Sequence, residues 1–64
     1  MQSQRDTLRD LVARFGMNEE KVIQEYAAAE KRGAVMRNSN KYGLGSVDYA
    51  RALWRDAIRK GWLS

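Results

Sequence analysis

A chain of 64 residues with neither cysteine nor histidine can form no disulfide and no zinc site built from thiolates or imidazoles. Its formal charge is +4, and no apolar run reaches the length of a membrane span or a signal-peptide core. These limits predict one small cytoplasmic domain over residues 1–64, held by apolar packing and helix caps, without metal or other cofactor and without a membrane partner.

The hydrophobic pattern predicts three helices, each closed by a glycine. The first is expected over 3–15, with Ser3 as N-cap and Asp6 in the first turn, where negative charge suits the helix dipole. Leu8, Leu11, Val12 and Phe15 share one face, and Gly16 ends the helix. The second is expected over 19–32, with Asn18 as N-cap and Glu19 and Glu20 behind it. Val22, Ile23, Tyr26, Ala27 and Ala29 supply its apolar face, Lys31 and Arg32 its last turn, and Gly33 its end.

Residues 33–45 read as a long loop. Asn38, Ser39, Asn40, Gly43 and Gly45 are turn formers, and Val35, Met36, Tyr42 and Leu44 are expected to fold down over the core. The third helix is expected over 47–60, with Ser46 as N-cap. Val47, Ala50, Leu53, Trp54, Ala57 and Ile58 fill one face, and Asp48, Arg51, Arg55, Asp56, Arg59 and Lys60 the other. Gly61 ends it, and Trp62 and Leu63 are expected to fold back. The segments Ala29–Val35 and Ala57–Leu63 are almost the same helix-ending phrase. The fold class is therefore all-α, a compact three-helix bundle with a long loop between helices 2 and 3.

Leu8 to Tyr26 resembles a helix-turn-helix unit. An apolar residue precedes the turn glycine by four positions (Val12), the glycine is Gly16, and an apolar residue follows it by six (Val22). The resemblance implies DNA binding, with the second helix in the major groove and Asn18, Lys21 and Gln24 as its contacts. That helix, however, opens with Glu19 and Glu20 and adds Glu25, which repel phosphate.

Catalytic signals are absent from the pattern. Asp6 and Asp10 lie beside Arg5, Arg9 and Arg14 and read as solvated pairs, so no enzyme and no small-molecule substrate is expected. The charge is uneven instead: four basic residues face six acidic ones in residues 1–30, and eight face two in residues 31–64. Arg51, Arg55 and Arg59 recur every fourth residue, each with a planar fork suited to phosphate. With Arg37, Lys41 and Tyr42 they form the expected nucleic-acid-binding set of a small regulator or accessory factor. The alternative is a protein-interaction module, self-associating as a homodimer, in which the acidic half of one copy meets the basic half of another.

Overall fold

Two polar side chains start the first two helices in the computed structural model, which describes residues 2–63. Ser3 Oγ accepts the Asp6 N–H at 3.1 Å ahead of α1 (Gln4–Phe15). Asn18 Oδ1 accepts the Lys21 N–H at 3.1 Å ahead of α2 (Glu19–Lys31). Both side chains satisfy an N–H that the helix itself leaves without a partner. The start of α3 (Ser46–Lys60) corrects the expectation. Gly45 is the N-cap, its carbonyl accepting the Tyr49 N–H at 2.9 Å, and Ser46 is already helical. Without a capping side chain there, Asp48 in the first turn supplies the negative charge.

The second and third helices end in the same backbone motif. At Gly33 (φ +80°), the Ala34 N–H donates to Ala29 O at 2.9 Å and the Gly33 N–H to Glu30 O at 3.2 Å. At Gly61 (φ +75°), the Trp62 N–H donates to Ala57 O at 3.0 Å and the Gly61 N–H to Ile58 O at 3.1 Å. Each is a Schellman closure, whose positive φ suits a residue without Cβ. The repeated phrase in the sequence is thus a repeated solution to one problem. Gly16 ends α1 differently: its N–H reaches Val12 O at 2.7 Å, and Met17 beyond it stays exposed rather than folding back.

The described residues form an all-α structure in which α2 packs against both α1 and α3. Leu8 and Leu11 of α1, Val22, Ile23, Tyr26 and Ala29 of α2, and Ala50, Leu53, Trp54 and Ala57 of α3 make one core. Trp62 and Leu63 fold back against it, half-buried, as the apolar tail requires. Two core assignments change. Ile58 lies at the edge of its face and is 46% exposed, whereas Tyr49 is buried one turn before Leu53.

The connection between α2 and α3 is less irregular than a plain loop. It contains a 3₁₀ turn at Asn40–Tyr42, closed by Gly43. Val35 alone of its four apolar residues is buried; Met36, Tyr42 and Leu44 face solvent, so no apolar lid forms. What holds the segment down is polar. Glu30, 2% exposed, accepts the Ser39 hydroxyl at 2.8 Å and the Asn38 N–H at 3.3 Å. Leu44 N–H then returns to Ser39 O at 3.0 Å, fixing the turn between them. At its other end the segment is tied to the N-terminus by the Gln2 N–H donating to Ala34 O at 3.2 Å.

Candidate nucleic-acid interface

The buried Glu30 clamp determines where the basic loop residues sit. Because Asn38 and Ser39 are drawn inward, Arg37 before them and Lys41 and Tyr42 after them are left outside. Tyr42 is 59% exposed, yet its ring is not loose: it stacks on Tyr49 with centroids 5.9 Å apart and planes 7° from parallel. Tyr49 is itself fixed, its hydroxyl accepting a hydrogen bond from the Gln4 amide of α1. The Lys41 ammonium lies 5.8 Å from the centre of the Tyr42 ring.

The arginine stripe of α3 divides into three different environments. Arg51 turns toward α2 and meets Glu20 with both ends of its fork, at 2.6 and 3.3 Å, and Glu19 at 3.4 Å. Asp48, three residues earlier on the same helix, makes no ion pair with it, because two carboxylates at the α2 start offer a bidentate geometry. The Arg51 hydrogen bond holds the Glu20 carboxyl below its ordinary pKa, and Glu20 raises that of Arg51 in turn. Arg59 pairs with Asp56, as does Lys60 at 2.9 Å; Lys60 first and Arg59 second lower the Asp56 pKa. Arg55, between them, has no carboxylate partner among the described residues and is exposed.

This pairing runs through the whole molecule. Asp10 takes Arg14 at 3.4 Å and Glu25 takes Lys21 at 3.6 Å. Glu30 is consumed by the loop clamp, and the remaining Asp6 and Asp48 stand in helix first turns. Among the described residues, Arg5, Arg9, Lys31, Arg32, Arg37, Lys41 and Arg55 have no acidic partner, and all seven are exposed. The positive excess therefore resides in side chains free to meet an outside anion.

Beside the Tyr42–Tyr49 stack lies a groove of about 370 Å³, lined by both tyrosines together with Gln4, Leu44, Ala52, Leu53 and Asp56. Sequence reasoning named Tyr42 but missed Tyr49, Gln4 and Glu30. Glu30 continues the buried arc of Val22, Ile23, Tyr26 and Ala27, so its burial was readable from helical spacing. Among the described residues, no cluster of three or more Asp, Glu, His or Cys is placed to hold a metal ion, and no helix is long and apolar enough to cross a membrane. No protein-family model, curated protein or solved structure matches the chain.

Proposed function

We propose that this chain is a small nucleic-acid-binding protein, one domain built as a three-helix bundle, whose interface combines the segment between α2 and α3 with the outer side of α3. The observation that carries the reading is the partner ledger: the acidic residues are in ion pairs, in a buried clamp or at helix starts, while seven exposed basic residues have no acidic partner. Such side chains gain phosphate contacts without first breaking an internal pair. Arg37, Arg55 and Lys41 are the principal phosphate contacts. Arg51 and Arg59 belong to the same surface but share their charge with Glu20 and Asp56 and contribute less.

The resemblance of residues 8–26 to a helix-turn-helix defines a rival surface, the exposed side of α2 carrying Lys21 and Gln24. Backbone NMR during titration with a short duplex and a short single strand separates the two. Shifts at 36–42 and along Arg51, Arg55 and Arg59 are expected. Shifts confined to Asn18, Lys21 and Gln24 move the interface to α2. With no shifts from either probe at low salt, nucleic-acid binding is refuted. The exposed Met36, Tyr42 and Leu44 then favour a protein-interaction surface.

A further inference from the structure

We infer that the groove between α3 and the 3₁₀ turn receives one unpaired base of a single-stranded nucleic acid, packed against Tyr42. The inference rests on the nucleic-acid reading above and deepens it by naming the strand type and the binding element. Tyr42 is 59% exposed, so much of its apolar surface still faces water, and its ring is stacked on Tyr49. Its geometry is prepared in a chain of contacts: Gln4 holds the Tyr49 hydroxyl, Tyr49 supports Tyr42 from one side, and the Glu30 clamp fixes the turn that carries it. A rigid aromatic loses little entropy when a base stacks on it.

The groove fits such an occupant in size and polarity. Its volume of about 370 Å³ falls in the range of small-molecule sites. Its walls from Tyr42, Leu44, Tyr49, Ala52 and Leu53 are apolar or aromatic, matching the faces of a base. Gln4 and Asp56 add polar atoms that can meet a base edge. Lys41 stands at the Tyr42 ring, and the Asp56 carboxylate in the lining is neutralised by Arg59 and Lys60. The Lys41 charge thus adjoins an open, largely apolar groove, the combination that single-strand binders use. A base inside a duplex offers no free face to this slot.

The test uses the full chain and three probes in fluorescence anisotropy at one salt concentration. These are a short oligothymidylate, an abasic strand of the same length and charge, and a blunt duplex. The oligothymidylate is expected to bind about tenfold tighter than the abasic strand, the scale of stacking one base. Tyr42→Ala should erase that difference, and Tyr42→Trp should keep it. Both variants should melt close to the parent, since the ring is largely exposed. Lys41→Ala should weaken the oligothymidylate and abasic probes alike. Equal affinity for oligothymidylate and abasic strand, or a difference that survives Tyr42→Ala, overturns the base slot while leaving phosphate binding intact. No binding of any probe at low salt overturns both.

Discussion

Tyr26 is the side chain whose chemistry is least balanced. It is fully buried at the centre of the core, and its hydroxyl makes no hydrogen bond among the described residues. A buried hydroxyl without a partner contributes less than the methine it could be replaced by. Tyr26→Phe is therefore expected to leave thermal stability at neutral pH unchanged or raise it by up to about 1 kcal/mol. Burial raises the phenol's pKa above its ordinary 10.0, helped by Tyr49 and by Glu30 and opposed in smaller measure by the Gln4 amide. The folded chain then keeps a proton that the unfolded chain gives up, so stability is complete below pH 10.0 and falls as pH rises beyond it. Denaturation midpoints measured on both sides of that pH should show the fall in the parent and a shallower one in Tyr26→Phe. A variant less stable at neutral pH, or as alkali-sensitive as the parent, contradicts this account of the residue. The apolar positions around Tyr26 were legible from spacing alone. The burial of Glu30 was readable from the same spacing, but its clamp was not, because its partners Asn38 and Ser39 lie in a segment without periodicity.

At the scale of elements, helix ends carry most of what the sequence announces. The two matching phrases become two matching closures, with Gly33 and Gly61 at positive φ. Nothing lies within 4 Å of a Cβ built on Gly33, so its replacement is strained by the backbone alone. Gly33→Ala and Gly61→Ala should each lower stability by about 1 kcal/mol, read from urea midpoints. Unchanged or raised midpoints in both variants refute the closure. Helix identity and bounds followed the pattern to within one residue, since capping and apolar spacing act locally. The connecting segment did not follow it. Four apolar residues suggested a lid, but Val35 alone enters the core, and a hydrogen-bonded serine occupies the place where a lid would press down. That outcome depends on which groups meet in space, and spacing along the chain does not encode it. The Arg51 pairing is of the same kind: Asp48 is the acidic neighbour at helical spacing, yet the carboxylates at the α2 start win by geometry.

For the whole molecule, the central claim concerns where charge is spent. The uneven halves of the sequence raise the expectation of a polyanion partner, with six acidic residues in 1–30 and only two in 31–64. Folding redistributes that excess. The acidic start of α2 is matched by Arg51, and the unpartnered positive charge falls on all three helices and the connection, from Arg5 and Arg9 through Lys31, Arg32, Arg37 and Lys41 to Arg55. The candidate set was therefore legible as a list of residue types, while the ranking within it required the ion pairs. Ranking yields a difference among chemically identical substitutions. Arg37→Ala and Arg55→Ala remove guanidinium groups that have no acidic partner, whereas Arg51→Ala also leaves Glu19 and Glu20 without theirs. The most direct measurement is the salt dependence of affinity for a short single strand, taken for the parent and for these variants. Phosphate contacts release counterions, so affinity should fall steeply with salt, with a logarithmic slope of about −0.7 per contact. Arg37→Ala and Arg55→Ala should each make the slope shallower by about one contact's share, with smaller change in Arg59→Ala. Affinity that ignores salt, or slopes that remain the same in Arg37→Ala and Arg55→Ala, would contradict the claim.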